Sequence, residues 1–154
     1  MPDVKEQIST LADEHGRSRE SLLPILQGYL EEERYLTDEA MTAIAKELDI
    51  SAAQVYGTAT FYTFFDTDIR GDYIIRICKT ITCDMKGKRQ ILNTIESLLK
   101  IKLGETSRDN KFTLLETNCL GQCHKGPAML INDDVFTELT PEKVTEIIND
   151  YLKK

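Results

Sequence analysis

The four cysteines of this chain form two close pairs, both in its second half. Cys78 and Cys83 are spaced C-x4-C, Cys119 and Cys123 are spaced C-x3-C, and 35 residues separate the pairs. A stretch of that length can form a helix and a strand, and consecutive loops at one end of a sheet can meet. The sequence therefore allows all four thiols to converge on a single site.

The composition favours a packed cytoplasmic protein. The chain has 154 residues, 41% of them hydrophobic, and a formal net charge of −7 without a long run of one sign. This charge argues against nucleic-acid binding, which depends on clustered Lys and Arg. No apolar stretch is long enough to span a membrane, and the first residues lack the apolar core of a secretory signal. We therefore expect a cytoplasmic, prokaryotic protein whose thiols stay reduced, which argues against two structural disulfides.

Residues 1–68 are expected to form an N-terminal helical bundle. Apolar residues recur at helical spacing in SLLPILQGYLEEER. Thr37 is a candidate N-cap, and Ser51 with Gln54 forms a capping-box pattern. The helix after Thr37 has the apolar stripe Met41, Ile44, Ala45 and Leu48. Aromatic residues are densest in the next segment, at Tyr56, Phe61, Tyr62, Phe64 and Phe65. We interpret these aromatic side chains as core or as a surface that faces a partner.

Residues 69–154 show the pattern of a small α/β domain. Strands are expected at 73–78, 111–116, 128–131 and 135–136, with one helix at 86–101 and a last one capped by Thr140 and begun by Pro141. The order β-α-β-β-α predicts a mixed sheet of thioredoxin-like type, and thus an α+β chain overall. Gly126–Pro127 precedes a strand where such folds often place a cis-proline, so we predict a cis bond there.

Four thiolates at one site suit a 2Fe–2S cluster, which takes two thiolates per iron. Gly121 and Gly126 would let backbone amides approach the sulfurs. A structural zinc ion on four thiolates is the chief alternative, although its cysteine pairs usually have the shorter C-x2-C spacing. Thiol–disulfide chemistry is another alternative, but the C-x-x-C motif typical of it is absent. A Rieske centre needs two histidines near the cluster, whereas the chain has only His15 and His124, and we expect His124 to be an exposed loop residue.

Several segments resemble one known family, the E subunit of NADH-quinone oxidoreductase. They are VYGTATFYTFF, IIRICKTITCDMKG, GETSRDNKFTLLETNCLGQCHKGPAMLIND and TPEKVTEII. The same family includes the equivalent subunits of NAD-reducing and electron-bifurcating hydrogenases and of formate dehydrogenases. The resemblance covers nearly the whole chain, including its helical first part.

The resemblance implies that the second domain is a thioredoxin-like ferredoxin with one 2Fe–2S cluster on Cys78, Cys83, Cys119 and Cys123. The chain would then be a non-catalytic electron-transfer subunit of an NADH-dependent oxidoreductase. It would exchange single electrons beside the FMN of an NADH-binding partner, in a complex with further iron–sulfur subunits. FMN and NAD(H) belong to that partner, and this chain has no nucleotide-binding fingerprint of its own. The N-terminal helices and residues 58–65 would dock on the partner.

Two other functions remain open at this point. One is a free-standing thioredoxin-like ferredoxin that acts as a diffusible carrier, although a carrier has no need for a helical docking domain. The other is an interaction module stabilised by a zinc ion on the four cysteines.

Overall fold

The computed structural model describes residues 3–154, which divide into two compact units. The first unit ends at Ile69, and the second runs from Arg70 to Lys154. Each unit has its own hydrophobic core. In the described part of the chain, no helix is both long enough and apolar enough to cross a membrane.

The first unit is helical, as the sequence predicts. Its helices are α1 (Val4–His15), α2 (Leu22–Glu32), α3 (Asp38–Glu47) and α4 (Ala52–Phe61), with a 3-10 turn at Arg19–Ser21. The Thr37 side chain caps α3 by accepting a hydrogen bond from the backbone N–H of Ala40 at 3.0 Å. Ser51 and Gln54 form the predicted capping box at the start of α4. The predicted apolar stripe of α3 is buried in the core of the unit.

Most of the aromatic side chains around the end of α4 lie outside the core. Four of them, which we call the aromatic patch, are between 42% and 78% exposed: Tyr56, Phe61, Tyr62 and Phe64. Phe65 is half-buried and packs against the core. Helix α4 buries Val55 and Ala59 instead, so its contact with the core is made by small side chains. The sequence left open whether these aromatic side chains belong to the core or face a partner. The structure shows that the aromatic patch is not part of the core.

The second unit contains the predicted mixed sheet. Its strands are β1 (Tyr73–Cys78), β2 (Phe112–Thr117), β3 (Met129–Ile131) and β4 (Asp134–Phe136). They lie in the order β2-β1-β3-β4, with β1 parallel to β2 and the other neighbours antiparallel. The Gly126–Pro127 bond just before β3 is cis, as predicted.

Three helices accompany the sheet: α5 (Ile81–Met85), α6 (Lys88–Leu99) and α7 (Pro141–Lys153). Helix α6 buries Ile91 and Ile95, and α7 buries Val144 and Ile148 in the same core. The Thr140 side chain caps α7 by accepting a hydrogen bond from the N–H of Lys143 at 3.2 Å, and Pro141 begins the helix. Both features were predicted from the sequence.

The pairing of β1 with β2 decides where the cysteines meet. In the parallel register Cys78 lies opposite Thr117, so both strands end at the same edge of the sheet. The N–H of Lys79 donates to the carbonyl of Thr117 at 2.9 Å, and the N–H of Cys78 donates to the carbonyl of Ala128 at 3.2 Å. The loop after β2, residues 118–128, therefore begins and ends beside the last residue of β1.

Candidate metal centre

The first cysteine pair lies at the carboxyl end of β1. Cys78 is the last residue of the strand and Cys83 lies in α5, and each is only 1% exposed. The bounds predicted from the sequence, a strand at 73–78 and one helix at 86–101, place Cys83 in the loop between them. That prediction was wrong: Gly87 adopts a left-handed conformation with φ of 99°, which separates the five-residue α5 from α6. Cys83 therefore lies in a short helix that begins three residues after the end of β1.

The second pair lies in the loop after β2. The two Sγ atoms, of Cys119 and Cys123, are 3.2 Å apart. Gly121 lies between them with φ of +77°, in the region that favours glycine, and its N–H donates to Cys119 Sγ at 3.3 Å. Cys119 is exposed and Cys123 is half-buried at the start of a 3-10 turn over Cys123–Lys125. His124, in the same turn, is exposed, as expected.

Gly126 brings the two pairs together. A Cβ atom added to Gly126 would lie only 3.2 Å from Cys83 Sγ, so the loop of the second pair passes directly against a sulfur of the first. The pKa of the Cys123 thiol is raised, mainly by its hydrogen bond with Cys119 and also by the charges of Cys83 and Cys78. The structure thus places the loop of Cys119 and Cys123 against the buried pair, Cys78 and Cys83.

The thiols of the inner pair differ in acidity. Burial raises the pKa of Cys78, but hydrogen bonds with the Thr80 hydroxyl, the backbone and Cys83 outweigh burial and bring it below its ordinary value. Burial and the neighbouring Cys78 thiol raise the pKa of Cys83. Thr80 Oγ1 lies 3.1 Å from Cys78 Sγ, a contact that the sequence analysis did not identify. The position of Thr80 two residues after a candidate ligand was the available signal.

The two thiols of each pair repel one another once they are ionised. A cationic group relieves that repulsion, and soft thiolates suit iron–sulfur clusters, zinc or cuprous copper. Within residues 3–154, no three His, Cys, Asp or Glu side chains form a group ready to hold a metal ion, and the thiols are arranged as two pairs. Two pairs of thiolates are also what the two irons of a 2Fe–2S cluster require. The residues present therefore fit such a cluster.

Lys86 is a second residue that the sequence analysis missed. Its Nζ donates to the carbonyl oxygens of Cys123 and His124 at 2.9 and 3.2 Å. These contacts join residues 37 and 38 positions apart in the chain, and no local pattern around Lys86 signals them.

Comparisons with known proteins agree with this fold. Residues 8–152 match the model of the thioredoxin-like [2Fe-2S] ferredoxin family. The E subunit of NADH-quinone oxidoreductase from Buchnera aphidicola is 42% identical over 117 residues, which are 76% of this chain and 72% of the relative. Its counterpart in Escherichia coli K12 is also 42% identical over 117 residues, and 70% of its length is covered.

A solved structure, NAD+-reducing [NiFe]-hydrogenase in the H2-reduced state, shares the fold. Its TM-score is 0.78 at 22% identity, and the match covers 90% of this chain but 23% of the hydrogenase chain. At that identity the likeness concerns the fold alone. The family match and the 42% identity to the two oxidoreductase subunits are much stronger. This chain therefore belongs to the thioredoxin-like [2Fe-2S] ferredoxin family, together with the E subunits of NADH-quinone oxidoreductases.

Proposed function

We propose that this chain is the 2Fe–2S electron-transfer subunit of an NAD(H)-linked flavoprotein oxidoreductase, with Cys78, Cys83, Cys119 and Cys123 as the cluster ligands. The convergence of four thiols at one edge of the sheet carries this proposal. Membership of the ferredoxin family supports the cluster, and the relatives named as subunits of NADH-quinone oxidoreductase support the larger complex.

Residues of this chain set the conditions for electron transfer. A 2Fe–2S cluster supplies a centre that accepts and releases one electron. The Thr80 hydroxyl and the Gly121 N–H lie within hydrogen-bond distance of ligand sulfurs, where they stabilise negative charge. The two buried cysteines exclude water from the inner side, and the exposed Cys119 leaves the outer side accessible to a partner. The chain performs no bond-making chemistry and has no active site of its own in this proposal.

The surface around α5 supports binding of a protein partner beside the cysteines. Ile81 and Met85, four residues apart on α5, are 71% and 82% exposed. The segment 79–89 around them carries four basic side chains and one acidic side chain, in a chain whose net charge is −7. An apolar centre with a basic rim fits an acidic surface on the flavin-containing subunit.

The aromatic patch of the helical unit is a second candidate contact with the same partner. Large exposed aromatic side chains are enriched at protein interfaces, because they bury much area at a low entropic cost. The patch supports the docking role proposed for the helical domain, residues 1–68. A diffusible carrier has no evident use for such a patch, so the patch favours a role within a complex over a free-standing ferredoxin.

Metal and sulfide analysis tests the cluster directly. We expect two irons and two acid-labile sulfides per full-length chain after anaerobic purification, with a rhombic EPR signal after dithionite reduction. Cys78→Ser and Cys119→Ser, one from each pair, should abolish or alter that signal. His124→Ala is the matched control, because His124 is exposed and adjacent to Cys123. Stoichiometric zinc without sulfide, even after reconstitution, would contradict the proposal.

Reduction by NADH tests the partner. NADH should reduce the cluster only when the flavin-containing subunit from the same organism is present, and the two chains should co-purify with FMN. Met85→Glu and Phe61→Ala should weaken that co-purification, whereas Leu152→Ala, at an exposed apolar residue of α7, should not. A chain that stays alone and is never reduced through the flavoprotein would point to the diffusible carrier.

A further inference from the structure

We propose that Lys86 is a positioning residue for the cluster ligands, and this inference rests on the proposed 2Fe–2S site. Its side chain ties the loop of Cys119 and Cys123 to the helix of Cys83. It also places a positive charge on the turn that carries Cys123. No motif in the sequence predicts that Lys86 positions this loop.

The backbone of Lys86 is fixed relative to one ligand. Lys86 is the C-cap of α5, and its N–H donates to the carbonyl of Cys83 at 3.2 Å. Its side chain leaves α5 and reaches the 3-10 turn of the other loop, where Nζ donates to the carbonyls of Cys123 and His124. A single residue thus connects the inner cysteine pair to the outer one.

The aliphatic stem of Lys86 is part of the same contact. A Cβ added to Gly126 would lie 3.4 Å from Lys86 Cδ and 3.2 Å from Cys83 Sγ. The lysine stem, the loop at Gly126 and the Cys83 sulfur therefore pack against one another. Because Lys side chains bury their stems and keep the ammonium in water, this arrangement is favourable even though Lys86 is exposed.

The ammonium group acts on the loop in two ways. Hydrogen bonds from a charged donor are stronger than neutral ones, so the two carbonyls hold the turn that carries Cys123 in place. The positive charge also favours the more negative, reduced form of any cluster on these sulfurs, which raises its reduction potential. The nearby Lys88 differs from Lys86, because its charge is balanced by an ion pair with Glu116 at 2.8 Å.

The test compares three full-length variants: Lys86→Met, Lys86→Arg and Lys79→Met. Lys79 is the matched control, because it is an exposed lysine directly after Cys78. In the part of the chain that the structure describes, the Lys79 side chain makes no hydrogen bond to the loop of Cys119 and Cys123. Lys79→Met removes a nearby charge and leaves the hydrogen bonds of Lys86 to the loop intact. Lys86→Arg keeps the charge but replaces the ammonium with a planar group of different geometry.

The first measurement is hydrogen exchange of backbone amides 119–126 in the reduced, cluster-free chain. Loss of the two charge-assisted hydrogen bonds should accelerate exchange in Lys86→Met at least about tenfold, with no acceleration in Lys79→Met. The second is an EPR-monitored redox titration, in which Lys86→Met should have a lower potential than both Lys79→Met and Lys86→Arg.

Each outcome decides the proposal. Faster loop exchange confined to the Lys86 variants, with the lower potential in Lys86→Met, supports it. Equal exchange in Lys86→Met and Lys79→Met overturns it, because the tie would then have no effect on the loop. If the wild-type chain holds no cluster, the proposed function fails, but the exchange measurement on the cluster-free chain still decides whether Lys86 positions the loop.

Discussion

Replacing Gly126 with alanine separates the need for space at the site from the need for an unusual backbone conformation. Gly126 has φ of −69° and ψ of 162°, an extended conformation that any residue adopts and that residues before proline favour. The backbone alone would make Gly126→Ala neutral or stabilising by about 0.4–1 kcal/mol, because alanine has less freedom in the unfolded chain. The added Cβ, however, would lie 3.2 Å from Cys83 Sγ.

The size of the effect follows from that distance. Non-bonded carbon atoms are most favourably about 3.5–4.0 Å apart, so the larger sulfur must retreat by at least about 0.3 Å. Without a cluster, the Cys83 side chain can turn away and avoid most of this cost. With a cluster its position is fixed by the metal. An extra methyl group in a packed site costs about 1–3 kcal/mol, which corresponds to about a 5- to 160-fold weaker retention of the cluster.

The assay has two parts, cluster loss under a chelator and urea unfolding of the cluster-free chain. Gly126→Ala should lose the cluster faster and leave the free energy of unfolding nearly unchanged. Gly121→Ala is the control, because φ is +77° there and no atom lies within 4 Å of an added Cβ. Its cost of about 1–2 kcal/mol is conformational and should already appear in the cluster-free chain. A Gly126→Ala protein that keeps its cluster as long as the wild type would refute this reasoning.

Variants at three further positions test other parts of the second unit. Burial and a 2.6 Å hydrogen bond to Asp134 raise the pKa of Tyr151 to about 12, above its unfolded value near 10. Because the folded chain keeps Tyr151 protonated to a higher pH than the unfolded chain does, its contribution to the free energy of unfolding, about 2–3 kcal/mol, is complete below pH 10 and is lost as the pH rises to 12. Urea unfolding should therefore show the free energy of unfolding of the wild type falling relative to that of Tyr151→Phe between pH 10 and pH 12. Thr80→Val should lower the reduction potential in a redox titration, and Thr80→Ser should restore it, because the hydroxyl contact with sulfur is lost and regained. Gly71→Ala should lower the free energy of unfolding by about 1–3 kcal/mol, because its Cβ would lie 2.8 Å from backbone atoms of β2 that cannot turn away.

The parts of the fold that could be predicted from the sequence depend on local signals. Strand β1 has the predicted bounds, because its isoleucine-rich run is interrupted on both sides. The start of α7 was also predicted, since Thr140 supplies a cap and Pro141 suits the first helical position. The convergence of the cysteines was predictable for a topological reason, namely that parallel strands end at the same edge of a sheet.

The features that the sequence analysis missed depend on the backbone conformation of a single residue or on contacts between distant segments. Cys83 lies in a separate short helix because Gly87 turns left-handed, and a glycine near a helix start does not reveal which conformation it adopts. Lys86 reaches a loop 37 residues away, which no periodicity records. The aromatic patch shows the same difficulty, because aromatic density predicts buried area without telling whether this chain or a partner covers it.

The unequal burial of the four cysteines makes the site sensitive to partner binding. Cys78 and Cys83 are almost fully buried, whereas Cys119 is exposed and Cys123 is half-buried, so a docked protein would remove water only from the outer pair. Water stabilises the extra negative charge of the reduced state, and solvent access is one determinant of cluster potential. We therefore expect redox titrations to give a lower potential in the complex with the flavin-containing subunit than in the isolated chain. Equal potentials would mean that the outer pair stays in water in the complex, and the contact proposed around α5 would then be wrong.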